Sequence, residues 1–133
     1  MYSFLEHTAD VRMKVEDGTL PGLFTEALRG MFTYLKPIPR GAKEVERAIE
    51  LSAPDSTALL VDFLNEALSL AQSHKETYDS IHFDKLVEHQ IEARLQGYKV
   101  KSFTDDIKAV TYHEAKVEHI PKNGWRAHII FDI

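Results

Sequence analysis

The chain has 133 residues, 44 % of them apolar and 28 % charged, with a formal net charge of −5. That size and balance describe one soluble globular domain able to bury a sizeable core, and they exclude disorder. Cysteine is absent, which excludes disulfides, thiolate metal sites and thiol nucleophiles and fits a reducing compartment.

The opening stretch Met1–His7 has no basic region followed by an apolar one, so no secretory leader is expected. The most apolar segment, 59–70, is interrupted by Asp62, Asn65 and Glu66 and is too short to span a bilayer. A cytoplasmic protein without membrane contact is the expectation. Acidic residues outnumber basic ones 21 to 16, and Lys and Arg are scattered without a basic run. Phosphate neutralisation supplies most of the affinity of RNA-binding proteins, so a direct grip on RNA is disfavoured. An acidic module that meets a basic partner protein suits these numbers better.

In chain order, Val11–Glu16 alternates apolar and charged residues, the period of a half-buried strand. Asp17-Gly18 marks a turn. Leu20, Leu23, Phe24, Ala27, Leu28, Met31, Phe32 and Leu35 are spaced at threes and fours and predict an amphipathic helix. Thr19 is its candidate cap, Pro21 sits in its first turn, and Pro37, Pro39 and Gly41 end it. Glu44–Leu51 reads as a strand with Arg47 out of place. Asp55 or Ser56 opens a second helix carrying Leu60, Phe63, Leu64, Ala67, Leu68 and Ala71. Strand-like alternation then recurs in Ile81–Leu86, Ile91–Leu95, Ile107–Val117 and Trp125–Phe131, with Gly97-Tyr98 and Pro121–Gly124 as separators. Two helices with six or seven strands predict an α+β fold, the helices packed on a largely antiparallel sheet, in one domain over residues 1–133.

Four segments, in this order and spacing, carry a family resemblance. They are Glu6-His7-Thr8-Ala9-Asp10, Leu59-Leu60-Val61-Asp62-Phe63-Leu64-Asn65-Glu66, Ile107-Lys108-Ala109-Val110-Thr111-Tyr112-His113, and Gly124-Trp125-Arg126-Ala127 running on to Phe131-Asp132-Ile133. Together they resemble the archease family over essentially the whole chain, with Phe63 where many members have Trp. The resemblance implies a strand–helix–strand–strand module inserted into another of the same kind. It also implies an accessory protein, not an enzyme, that activates an RtcB-type RNA ligase in tRNA splicing and RNA repair. Such a protein promotes the ligase's GTP-dependent guanylylation and its multiple turnover, and contacts RNA only through the ligase. The family's divalent-metal site carries over to Asp10, Asp132 and Ile133, with Ca²⁺ the expected ion and Mg²⁺ or Mn²⁺ as alternatives. Lys108 belongs to the family's functional set.

The same residues have plainer readings. Asp10 can cap a turn and Asp132 can be a solvated residue near a chain end. If the first and last strands lie side by side, however, their oxygens converge in a way that suits a hard cation completed by water. Lys108, between Ile107 and Ala109, is expected on a strand with its side chain toward solvent, available to a partner. His7 lies three residues from Asp10 and either orients it or stabilises the turn. Asp62, Asn65 and Glu66 form the polar face of the second helix, solvated or, at Asp62 and Glu66, a docking face for a basic groove. None of the seven histidines forms a helical His-x-x-x-His pair, which disfavours zinc. Two other functions compete: a metal-dependent hydrolase using Asp10 and Asp132, and a small-molecule-binding or chaperone-like module. The hydrolase lacks both a general base beside the site and a Gly-rich phosphate cradle.

Overall fold

A computed structural model describes residues 1–5 and 10–133. Its elements are β1 (Tyr2–Leu5), β2 (Asp10–Asp17), α1 (Leu20–Leu35), β3 (Pro37–Ser52), α2 (Ser56–His74), β4 (Glu76–Val87), β5 (Gln90–Phe103), β6 (Ala109–Ile120) and β7 (Gly124–Asp132). The helices start where local chemistry directs. The Thr19 hydroxyl accepts from the Gly22 amide at 3.0 Å, and the Asp55 carboxylate accepts from the Ala58 amide at 2.8 Å. Each cap satisfies a donor that the first turn leaves without a helical partner. Both helices end on a lysine in the left-handed region, Lys36 at φ 50° and Lys75 at φ 54°, a conformation that stops propagation. The prolines expected to close α1 belong instead to the first residues of β3, an edge strand, where a missing amide donor is tolerated.

The strands form two antiparallel sheets rather than one. The first has the order β1-β2-β7-β6 and the second β3-β5-β4. Leaving β1 aside, each sheet joins the first, last and second strands of one strand–helix–strand–strand module, with the last strand in the middle. The module β3-α2-β4-β5 is inserted between α1 and β6 of the module β2-α1-β6-β7. This is the nesting implied by the resemblance. The helices cross between the modules: α1 packs on β2 and β4, and α2 on β6 as well as on the second sheet. One apolar cluster results, drawn from Met13 and Val15 on β2, Phe24 and Met31 on α1, Leu60 and Phe63 on α2, Leu95 on β5, and Ile129 and Phe131 on β7. Phe63 packs against Phe24 with ring centroids 5.4 Å apart and the rings tilted by 50°, so a phenyl ring is fully buried at this position.

Several expected boundaries move. Gly97-Tyr98 is not a turn: both lie inside β5, where Gly97 pairs with Tyr78. A Cβ at Gly97 would sit 1.8 Å from the Thr77 carbonyl oxygen, so the close approach of β4 requires glycine. The strand expected at Ile107–Val117 begins only at Ala109, so Lys108 lies in the segment just before it. The strand β1 was not expected.

Arg47, the residue that broke the alternation of β3, has a partner that explains it. Glu76, at the start of β4, is the buried charged residue of the described chain, at 0 % exposure. Arg47 donates to both of its carboxylate oxygens at 2.8 Å, the Tyr78 hydroxyl donates at 2.8 Å, and the Lys99 ammonium lies 3.1 Å away. Hydrogen bonding from Arg47, outweighing the opposing effect of burial, holds the Glu76 carboxyl at about 2.

Candidate metal and partner site

Antiparallel pairing brings the two ends of the chain together. Asp10 on β2 is the cross-strand partner of Asp132 on β7, which in turn pairs with Ala109 on β6. Directly opposed residues project to the same face, with Cα atoms about 4.5–5.5 Å apart. Val11, Phe131 and Val110 form the adjacent row and turn toward the core. The row Asp10–Asp132 therefore lies on the other, outer face of the four-stranded sheet. The next outer row is Arg12, Ile130 and Thr111. Ile130 is only 4 % exposed although it lies outside the main core cluster, so this outer face is partly covered.

The two carboxylates open on a cavity of about 210 Å³ lined by Asp10, Thr111, His113, Ile130 and Asp132. Arg12 stands 3.7 Å from Asp10 and 2.7 Å from Glu114. Lys108 is exposed, and its amide donates to the Asp132 carbonyl at 2.7 Å. That bond places the lysine at the end of the carboxylate row. Ile133 follows Asp132 and is 42 % exposed. His7 lies outside the described residues.

This donor set suits an open, hard-cation site, with two carboxylates in one row and main-chain oxygens of Ile133 adjacent. Among the described residues no three His, Asp or Glu side chains gather closely enough to hold an ion by themselves. A bound cation would therefore complete its shell with main-chain oxygens and water.

The polar face of α2 does not behave as a solvated helix face. Asn65 donates to the Val110 carbonyl and accepts from the Val110 amide, both at 2.8 Å. Further along α2, the Gln72 amide donates to the Ile107 carbonyl at 3.1 Å, and the Thr57 hydroxyl accepts from the Val117 amide at 2.9 Å. Side chains of α2 thus take the place of a neighbouring strand along β6. Asp62 accepts a hydrogen bond from the Tyr112 hydroxyl, which raises the phenol above its ordinary value. Glu66 is exposed.

The scattered basic residues also converge. Arg12, Lys14, Lys116 and Arg126 share the outer face of the first sheet, but acidic neighbours interleave with them. Lys14 and Arg126 lie 3.0 and 3.3 Å from Glu16, and Lys116 lies 3.2 Å from Glu118. The face is laced with ion pairs and is not a basic stripe.

Sequence reasoning named Asp10, Asp132, Ile133 and Lys108 as site candidates; it did not name Thr111, His113 and Arg12, which the structure places beside the two aspartates. The period-two pattern of β2 and β7 placed Arg12 and Thr111 on the outer face in principle. No signal in the sequence announced that β6 leaves its register beside them.

A family model described as "Archease protein family (MTH1598/TM1083)" matches residues 2–133. The chain is 31 % identical to the protein archease of Methanosarcina mazei over 140 aligned positions, covering 99 % of this chain and 95 % of that protein. It is 28 % identical to the protein archease of Thermococcus kodakarensis, covering 96 % and 95 %. Among solved structures, Methanobacterium thermoautotrophicum protein 1598 superposes with a TM-score of 0.73 at 21 % identity, covering 99 % of this chain and 98 % of that one. A Thermotoga maritima protein, described as an archease and possible chaperone, superposes with a TM-score of 0.70 at 21 % identity, covering 97 % and 94 %. With the family model spanning nearly every residue, the chain belongs to the archease family.

Proposed function

We propose that this chain is a cytoplasmic accessory protein that activates an RtcB-type RNA ligase in tRNA splicing and RNA repair. It promotes the ligase's GTP-dependent guanylylation and supports its turnover, and it contacts RNA only through the ligase. The observation that carries this reading is the cross-strand row Asp10–Asp132 with the Lys108 backbone bonded to its end, in a chain of the archease family.

In this reading Asp10, Asp132 and the main chain of Ile133 hold a divalent cation, Ca²⁺ first, with Mg²⁺ or Mn²⁺ as alternatives. A cation there adds positive charge to an acidic corner and fixes it for docking. Lys108 reaches the ligase or its bound nucleotide, and Glu66 adds a negative charge beside that surface. Asp62 acts through Tyr112 rather than by direct docking. The net charge of −5 favours a basic partner surface. No helix among the described residues is long and apolar enough to cross a membrane.

Single-turnover guanylylation of an RtcB-type ligase with GTP and Mn²⁺, with and without this protein, tests the proposal. Faster formation of the ligase–GMP adduct is expected, with no ligation and no GTP hydrolysis above background by the protein alone. An adduct rate unchanged over a wide range of protein concentration removes the activator reading. GTP turnover without ligase would favour a hydrolase instead. Protection of unrelated clients without an effect on the ligase would favour the chaperone described for the Thermotoga relative.

A further inference from the structure

The strand β6 is interrupted beside the carboxylate row. Thr111 pairs with Ile130 and Lys116 with His128, so residues 112–115 stand opposite Ile129 alone. This excursion is held from both sides. The Tyr112 hydroxyl donates to Asp62 on α2, and Arg12 on β2 reaches Glu114 at 2.7 Å. Within it Glu114 takes φ 55°, a conformation that a residue with a side chain rarely adopts. The ring so held is not buried. Tyr112 is 60 % exposed, more than any other Phe, Tyr or Trp of the described residues, although such rings carry apolar area that folding ordinarily hides.

Beside the ring lies negative charge without a counter-ion. Asp62 and Glu66 stand one turn apart on α2, where residues of that spacing are neighbours, and Glu66 is exposed. Among the described residues neither has a salt-bridge partner. On the outer sheet face, by contrast, Glu16 pairs with Lys14 and Arg126, Glu114 with Arg12, and Glu118 with Lys116. The chain also joins this surface to the carboxylate row. Thr111 lines the cavity with Asp10 and Asp132, and Tyr112, the next residue, turns to the opposite side and meets α2.

We infer that Tyr112 is the aromatic anchor of the surface that docks the ligase, and that it receives an arginine side chain from a cationic patch of that partner. This rests on the activator reading above and deepens it by naming the docking surface. A guanidinium stacks flat on a tyrosine ring and still directs its N–H groups outward, here toward the Glu66 carboxylate. Asp62 is a positioning residue: its bond to the hydroxyl fixes the ring before the partner arrives, so less side-chain freedom is lost on docking. An apolar partner would use the ring but strip water from two carboxylates without replacing it. An anionic partner such as RNA would be repelled by them. A cationic protein surface is the occupant that suits both features.

Calorimetric titration of the full chain into an RtcB-type ligase tests this, read beside ligase–GMP formation at rising concentrations of the chain. Tyr112→Ala is expected to weaken binding about tenfold or more, as loss of an interface anchor does, and to raise the half-maximal activating concentration in proportion. Tyr112→Phe keeps the ring face and should stay within about threefold of the unsubstituted chain. Glu66→Lys should weaken binding by repelling a cationic partner. Thermal melts of the three variants should match that of the unsubstituted chain, since both side chains face solvent. Unchanged affinity in Tyr112→Ala overturns the anchor, and equal losses in Tyr112→Ala and Tyr112→Phe overturn the ring platform in favour of the hydroxyl. Unchanged or tighter binding by Glu66→Lys overturns the cationic occupant, and tighter binding points to an anionic one such as RNA. Binding by the unsubstituted chain without faster adduct formation removes the activator reading and leaves the docking surface to the variants. Absence of binding removes both.

Discussion

Glu76 shows how one residue out of pattern reports a distant partner. Arg47 interrupts the alternation of β3 because its guanidinium must reach a carboxylate that is fully buried at the start of β4. Nothing local to either segment announces the pair. The Glu76 carboxyl has an ordinary value of 4.5 and is held at about 2 in the fold, first by hydrogen bonding from Arg47. A depressed carboxyl stabilises above its unfolded value, so the contribution is fully present above about pH 4.5 and disappears as pH falls toward 2. Linkage puts it at roughly 3 kcal/mol at neutral pH. Glu76→Gln should therefore lower stability by about 2–4 kcal/mol at pH 7, with Arg47 left short of a counter-charge. Urea melts at pH 7 and pH 3 check this, because the gap between the two proteins must narrow as the unsubstituted one loses its own ion pair. A gap independent of pH would place the effect in packing rather than charge.

The site residues obey the opposite rule at the same scale. Asp132 and Lys108 are exposed, and Asp10 is half-buried at a strand end. Asp10→Asn or Asp132→Asn should shift stability by about 1 kcal/mol or less, and Lys108→Ala by about 0.5 kcal/mol or less. The aspartate variants should weaken divalent-cation binding and ligase activation together. Lys108→Ala should reduce activation with metal binding intact, and charge reversal to Glu should reduce it further. Thermal melts, calcium titrations and guanylylation rates on the same preparations separate these outcomes. Loss of metal in Lys108→Ala would make the lysine a support for the carboxylates instead of a contact to the ligase.

Among the elements, the helices were legible and the fine structure of the strands was not. Caps and apolar spacing lie within a few residues, so Thr19, Asp55 and the stripes of α1 and α2 could be read directly. Strand limits depend on what the neighbouring strand offers, which is why Gly97 resembles a turn yet serves a close approach, and why β1, only four residues long, escaped notice. The excursion in β6 was equally hidden, since it exists only relative to β7. Asn65 was visible as a polar helix residue, but its role required knowing that β6 passes beside it. Its amide makes both hydrogen bonds that a neighbouring strand would make to Val110. Asn65→Leu should leave those two backbone groups without partners and cost about 2–4 kcal/mol, with the larger share from the buried amide. Hydrogen exchange at the Val110 amide should accelerate well beyond the change in global stability. Equal protection in the two proteins would mean that the helix side chain is dispensable for holding β6.

At the scale of the whole molecule, the nested modules are mutually dependent, and that dependence can be tested. Each module has its own sheet and its own helix, which suggests two units that fold separately. The packing says otherwise. The helix α1 of the outer module lies on β4 of the inserted one, and α2 of the inserted module lies on β6 of the outer one. The buried residues of both helices and both sheets join a single apolar cluster. Residues 37–103, expressed alone, would expose the face of α2 that Val110 and Ile107 cover and the face of β4 that α1 covers. A chain of that length is near the lower limit for independent folding even with a complete core. The excised segment should therefore lack a cooperative melt and cooperative near-ultraviolet dichroism. The full chain should unfold in one transition, with coincident midpoints from Trp125 fluorescence on the outer module and from labelled positions on the inserted sheet. Two separated midpoints, or a folded 37–103 segment, would show that the crossed helix contacts only dock finished modules. A single transition would mean instead that closing the Asp10–Asp132 row at one end depends on the inserted module at the other, since β7 can be held beside β2 only when the shared core between them is complete.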